Sequence, residues 1–133
     1  MKVLAIDYGT KRLGLAWADT NLDVILPYGT IVVPVTTKGS ASIVKKIVEL
    51  IKREPIDCIV IGWPVGLGGH ENRMTGLVKE LAFELPKHIS TPVEFFDERF
   101  TSQAADALGS AGASRDERAA MVILEGYLET LKH

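Results

Sequence analysis

The chain has 133 residues, of which 47% are hydrophobic and 24% are charged. This length and composition favour one domain with a buried core over two, so residues 1–133 are expected to form a single domain. A net charge of -2 excludes a global attraction to nucleic acid, and any such binding would depend on local basic patches. No apolar run approaches the roughly 20 residues of a membrane span, and no signal-peptide pattern is visible. We therefore expect a cytoplasmic protein with no membrane partner.

The first part of the chain predicts three strands. Apolar runs over 2–7 and 12–18 are joined by a short polar turn, which indicates an antiparallel hairpin. Gly9 is expected to supply a positive φ in this turn, and Gly14 indicates either a close backbone approach or a bulge. A weaker apolar run predicts a third strand over 29–35, which we expect at the edge of the sheet.

The remaining residues alternate between helical and strand patterns. Helical spacing of apolar residues predicts helices over 40–53 and 71–85 and a last helix that begins near Ser114, where Ser114 and Glu117 form a capping-box pattern. Strands are predicted over 56–62 and 92–97, and a short helix over 101–107. Cys58, the single cysteine, is expected to be a buried strand residue. This order indicates an α/β layer with an antiparallel start and a parallel continuation.

Three carboxylates are the candidate catalytic groups. Asp7 ends the first strand, Glu98 follows the last strand, and Asp116 lies in the first turn of the last helix on its inward face. If the first and last strands lie side by side beneath that helix, the three carboxylates meet at one end of the sheet. Three oxygen ligands favour Mg²⁺ or Mn²⁺, and the chemistry that follows is metal-assisted phosphodiester hydrolysis.

Other residues near this site are secondary candidates. Asp97 competes with Glu98 as a ligand, because side-chain alternation directs only one of them into the site. Neither His70 nor the segment Gly66–Gly69 has an assigned role, although His70 is a candidate for proton transfer. Three basic side chains are candidates for binding substrate phosphates, namely Lys11, Arg12 and Arg99.

Four segments resemble the motifs of the YqgF/RuvX family, in the family's order. They are AIDYGTKRLGLA at 5–16, IGWP at 61–64 with Gly69 following, FDERFTS at 96–102, and DERAA at 116–120 with the apolar residues that follow. The resemblance implies a ribonuclease H-like fold with a mixed five-stranded sheet, antiparallel over its first three strands, and helices on both faces. It also implies divalent-metal nuclease chemistry at Asp7, Glu98 and Asp116. One departure is that the loop after Pro64 usually carries Asn and Asp, where this chain has glycines.

Members of that family are described as Holliday-junction resolvase-like proteins and as candidate pre-16S rRNA nucleases. The resemblance therefore favours a nuclease that processes the end of pre-16S rRNA during ribosome biogenesis. Structured RNA is the preferred partner, and branched DNA is the alternative. A non-catalytic nucleic-acid-binding module is a second alternative. An ATP-binding role of the actin-like kind is disfavoured, because those proteins close two such domains around ATP. The sequence leaves open whether one or two metal ions bind and whether the protein is a monomer or a homodimer.

Overall fold

A computed structural model describes residues 1–9, 11–22, 24–34, 39–63, 73–97 and 113–131. Its elements, in chain order, are β1 (Lys2–Tyr8), β2 (Arg12–Asp19), β3 (Val24–Val32), α1 (Gly39–Arg53), β4 (Cys58–Trp63), α2 (Arg73–Glu84), β5 (Val93–Asp97) and α3 (Arg115–Leu131). A single 3₁₀ turn over Leu85–Lys87 follows α2 directly. Among these helices, none combines the length and the apolar character that a membrane crossing requires.

The five strands form one mixed sheet in the order β3-β2-β1-β4-β5. β1 pairs with β2, and β2 with β3, in antiparallel fashion, whereas β1 with β4 and β4 with β5 are parallel. This arrangement confirms the predicted mixed sheet and the edge position of β3. Because β1, β4 and β5 run in the same direction, their carboxyl ends meet at one edge of the sheet.

The two faces of the sheet are covered by different helices. Residues of even number in β1, such as Leu4 and Ile6, pack with α1 and α2, and we call this side the α1/α2 face. Val3 and Ala5 alternate to the other side, where they pack with the apolar residues of α3, and we call this side the α3 face. The helices on both faces bury β1 and β4 almost completely.

One prediction about the strands is wrong, and one condition that was set for the site is not met. β3 begins at Val24, well before the predicted start at residue 29, and it contains Pro27. A proline is tolerated there because β3 is an edge strand with one side unpaired. The first and last strands do not lie side by side, because β4 lies between β1 and β5. The helix predicted over 101–107 lies outside the described residues.

Candidate active site

The hairpin between β1 and β2 brings the first candidate residues together. The Gly9 amide donates a hydrogen bond to the Arg12 carbonyl oxygen at 3.0 Å. A Cβ atom at Gly9 would lie 2.4 Å from that oxygen, which is closer than any side chain tolerates. Gly9 is therefore required by this close approach. The prediction of a positive φ at Gly9 is wrong, since its φ lies outside the left-handed range.

Asp7 lies on the α3 face of the sheet, near the carboxyl end of β1. It continues the series of Val3 and Ala5, which pack against α3, and it is half-buried. Across the antiparallel ladder its partner is Gly14 of β2. The position opposite Asp7 therefore has no side chain, and the backbone of another element can approach the sheet there.

The start of α3 occupies that space. A Cβ atom built on Gly14 would lie 1.8 Å from the carbonyl oxygen of Asp116 and 3.1 Å from its Cα. The backbone of Asp116 thus rests directly on Gly14, which is the registered partner of Asp7. This contact brings Asp116 to the same place on the α3 face as Asp7. The close backbone approach predicted for Gly14 is confirmed.

A capping box fixes where α3 begins. The Ser114 amide donates to Glu117 Oε1 at 2.9 Å, and the Glu117 amide donates to Ser114 Oγ at 3.2 Å. These reciprocal bonds satisfy amide groups that a helix start would otherwise leave unpaired. The predicted capping box is confirmed, and it holds the first turn that carries Asp116.

Arg12, the first residue of β2, forms an ion pair with Asp116. Its Nε donates to Asp116 Oδ2 at 3.0 Å, with 57% of the Arg12 side chain and 27% of the Asp116 side chain exposed. The site therefore accommodates a cationic group beside this carboxylate. Lys11, the residue before, is exposed on the same hairpin. Both candidates for phosphate binding from this hairpin thus lie on its surface, one of them in contact with Asp116.

Asp97 lies on the opposite face from Asp7 and Asp116. In β5, Phe96 packs under α3 while Val93 packs on the other side, so Asp97 alternates to the α1/α2 face with its registered partner Trp63. Asp97 therefore does not share a face with the two candidate ligands. Its rival Glu98 lies outside the described residues, as do Arg99, His70 and the segment 66–69.

The described part of the chain contains two of the three predicted ligands, Asp7 and Asp116. Within those residues, no three Asp, Glu, His or Cys side chains come close enough together to hold a metal ion. The structure brings Asp7, Asp116 and Arg12 to one place, and it describes two of the three predicted ligands. The chemistry of the two carboxylates suits a hard cation such as Mg²⁺ or Mn²⁺.

A second polar cluster on the α3 face was missed by the sequence analysis. The Tyr127 hydroxyl and the Cys58 thiol both donate to Glu94 Oε2, the thiol at 3.3 Å. Burial, followed by the hydrogen bond to Glu94, raises the pKa of the Cys58 thiol to about 11. Burial and the same carboxylate also raise the pKa of Tyr127. The thiol stays protonated at neutral pH, so this cluster joins β4, β5 and α3 and confirms Cys58 as a buried strand residue.

Comparison with known proteins identifies the family of this chain. The model of the family described as "RuvX: Holliday junction resolvase" matches residues 1–130. The chain belongs to the RuvX family. Its similar curated relatives include proteins named "Putative pre-16S rRNA nuclease" from Maridesulfovibrio salexigens and Rickettsia africae. The first is 38% identical over 96% of this chain and 98% of the relative. The second is 32% identical over 98% of this chain and 88% of the relative.

Solved structures place the RuvX chain in the RuvC-like fold. RuvC of Thermus thermophilus in complex with a Holliday junction substrate has a TM-score of 0.66 and 16% identity, over 99% of this chain and 95% of RuvC. The fowlpox virus Holliday junction resolvase has a TM-score of 0.54 and 15% identity, over 98% and 99% of the two chains. At these identities the likeness concerns the fold, which is ribonuclease H-like, as the sequence motifs implied.

Proposed function

We propose that this RuvX-family chain is a divalent-metal-dependent nuclease that hydrolyses phosphodiester bonds. The observation that carries the proposal is the contact of the Asp116 backbone with Gly14, the registered partner of Asp7. Two carboxylates on separate elements are thereby held at the carboxyl edge of the sheet. Carboxylate oxygens that lie close together on one face form a donor set that suits a hard divalent cation.

In this proposal Asp7 and Asp116 hold Mg²⁺ or Mn²⁺, and Glu98 is the third ligand. When bound, such an ion supplies an activated water and stabilises the developing charge on phosphate oxygens. Asp97 is the weaker alternative to Glu98, because its strand directs it to the other face. Arg12 donates a hydrogen bond to Asp116 in this structure, and its guanidinium is well suited to bind a substrate phosphate through two hydrogen bonds.

We propose pre-16S rRNA as the substrate, with a cytoplasmic role in ribosome biogenesis. The names of the relatives that match nearly the whole chain support this choice. Cleavage of Holliday junctions is the second candidate, and the family description and the fold shared with RuvC favour it. A non-catalytic nucleic-acid-binding role is the third candidate, and the nuclease explains two acidic side chains on one face of the sheet more directly.

The test compares cleavage of a labelled pre-16S rRNA fragment with that of a four-way DNA junction. Each reaction contains Mg²⁺, Mn²⁺ or EDTA, with the wild-type protein or an Asp7→Asn variant. We expect cleavage of the RNA that needs the metal and falls by at least about 100-fold in the variant, since even the outer-shell partners of metal ligands are worth 10–100-fold. Faster cleavage of the junction would favour the resolvase. Cleavage that survives EDTA or the substitution would contradict the metal mechanism.

A further inference from the structure

An exposed aromatic ring lies near the carboxyl ends of the strands, as the candidate active site does, but on the opposite face of the sheet. Phe95 belongs to the edge strand β5 and is 46% exposed. Phe96, the next residue, alternates to the α3 face and is buried. A single exposed phenylalanine is ordinary on a protein surface, and a binding role requires suitable groups around the ring.

Trp63 and the cation over it give the surroundings of the Phe95 ring the character of a stacking surface. The ring of Trp63 meets Phe95 edge to face, with centroids 4.9 Å apart and an interplanar angle of 64°. The ammonium group of Lys79, on the exposed side of α2, lies 5.6 Å from the Trp63 ring centroid. Phe95 is thus braced by the Trp63 ring, and the Lys79 ammonium group lies over that same Trp63 ring. Exposed aromatic rings beside lysines are the elements with which proteins bind single-stranded nucleic acid.

We propose that Phe95, Trp63 and Lys79 form a binding surface for an unpaired nucleotide of a nucleic-acid substrate. One base stacks on the exposed part of Phe95, and the Lys79 ammonium contacts a phosphate. Asp97 lies next after Phe95 on this face, so the phosphate is expected on the Lys79 side of the ring. This inference rests on the proposed function, because it adds a contact for the substrate of that same site.

The position of this surface fits a nucleic-acid strand that continues toward the carboxylates of the candidate active site. β1 and β4 are registered at Ile6 and Ile61, one residue before Asp7 and two before Trp63. Asp7 and Trp63 therefore lie at nearly the same height at the carboxyl edge, since a strand rises about 3.3 Å per residue. A single-stranded nucleic acid that crosses the carboxyl edge of the sheet passes from Phe95 on one face to Asp7 on the other.

A protein partner is less well supported at this corner. A stable protein interface covers about 800 Å² on each partner and has a broad apolar centre. Among the described residues, the exposed apolar surface at the Phe95 corner is largely that of one ring, with Asp97 on the same face and Lys79 over the neighbouring Trp63. One base is the ligand that matches a surface of this size and charge.

The test measures binding of a fluorescently labelled single-stranded oligouridylate at fixed salt in EDTA, so that no cleavage is needed. Phe95→Leu keeps an apolar contact with Trp63 but removes the flat ring, whereas Phe95→Tyr keeps the ring. We expect Phe95→Leu to raise Kd by about fivefold or more, and Phe95→Tyr to stay within about twofold of wild type. Lys79→Gln should lower the slope of log Kd against log salt concentration by about 0.7.

Two controls make the result specific. Phe83→Leu removes another exposed ring, 69% exposed with Lys87 4.4 Å from its centroid, and should leave Kd unchanged. In a Trp17→Phe background, Trp63 is the single remaining tryptophan, and its fluorescence should change on binding. Equal effects of Phe95→Leu and Phe83→Leu, or no effect of Phe95→Leu, would overturn the proposal. Unchanged oligouridylate binding by Phe95→Leu with an altered oligomeric state in sedimentation would also overturn the proposal, since that result would assign the surface to a protein contact.

The outcomes separate this inference from the nuclease proposal. Loss of cleavage in Asp7→Asn with Phe95-dependent binding intact supports both proposals. Binding that depends on Phe95 in a protein without metal-dependent cleavage supports the surface and rejects the nuclease. Metal-dependent cleavage, together with oligouridylate binding that does not change in Phe95→Leu, supports the nuclease and rejects the surface.

Discussion

Gly14 is the residue on which the candidate site depends most directly at the level of single atoms. Its missing side chain lets the Asp116 backbone rest on β2 beside Asp7. Any larger residue would meet the Asp116 carbonyl, which is backbone and cannot swing aside. The start of α3 would have to move away from the sheet, and Asp116 would move with it.

We expect Gly14→Ala to destabilise the fold by about 1–3 kcal/mol, the usual cost of overpacking. The substitution should also weaken Mn²⁺ binding, because Asp116 is displaced from Asp7. Denaturant unfolding and calorimetric titration with Mn²⁺ measure the two effects. Gly76→Ala is the matched control: Gly76 is exposed in α2 with nothing within 4 Å of an added Cβ. That variant should be neutral or more stable by up to about 1 kcal/mol. Normal Mn²⁺ binding by Gly14→Ala would contradict the positioning role.

Cys58 permits a test of pH dependence. Its thiol has a pKa raised from 9.0 to about 11 by burial and by Glu94. Below pH 9 the thiol is protonated in the folded and unfolded states alike, whereas between pH 9 and 11 only the unfolded chain releases the proton. The contribution of this group to stability is therefore lost as the pH rises through that window.

We expect iodoacetamide to alkylate the native Cys58 thiol far more slowly at pH 8 than the same thiol in urea, because the reactive thiolate is rare in the folded protein. The free energy of unfolding should fall between pH 9 and 11, and fall less steeply in Cys58→Ala. Mass spectrometry follows the alkylation and denaturant titration follows stability. Rapid alkylation of the native protein at pH 8 would be inconsistent with a buried, protonated thiol.

At the scale of elements, the first turn of α3 links helix capping to the site. The capping box of Ser114 and Glu117 sets the residue at which the helix begins, and Asp116 lies between them in sequence. A frayed first turn would leave Asp116 without a fixed position. Helix capping therefore contributes to the geometry of the site as well as to stability.

Ser114→Ala should lower the free energy of unfolding by about 1 kcal/mol, as is typical when a helix cap is lost. Cleavage or Mn²⁺ binding should weaken as well, because the turn that holds Asp116 loosens. Ser114→Thr retains a capping hydroxyl and should stay close to wild type in both measurements. If Ser114→Ala and Ser114→Thr behave alike, the hydroxyl bond is not what fixes this turn.

The elements also differ in how much of them the sequence could predict. The capping box and the helix that follows it depend on neighbours in the chain, and both are confirmed. The start of β3 was missed because Pro27 interrupts the apolar run and locally indicates a strand boundary, although an edge strand tolerates it. The faces of Phe95 and Phe96 could not be predicted either, since two adjacent phenylalanines fit both alternations equally well.

At the scale of the whole molecule, the mixed sheet and the edge position of β3 were predictable, while the complete order of the strands was not. The hairpin and the crossover helices follow from local patterns, but the position of β4 between β1 and β5 depends on packing between distant segments. The convergence of Asp7 and Asp116 survives this correction, because it depends on α3 crossing β1 and β2. The nearness of the last strand to the first is not needed for that pair.

The most direct test of the central claim is a calorimetric titration of Mn²⁺ into wild-type protein, Asp7→Asn and Asp97→Asn. Both substitutions remove one carboxylate charge near the same sheet edge, but Asp7 lies on the α3 face with Asp116 and Asp97 lies on the other. We expect Asp7→Asn to lose at least about tenfold in Mn²⁺ affinity, and Asp97→Asn to stay within about twofold of wild type. Unchanged affinity in Asp7→Asn, or a loss confined to Asp97→Asn, would contradict a metal site built on Asp7 and Asp116.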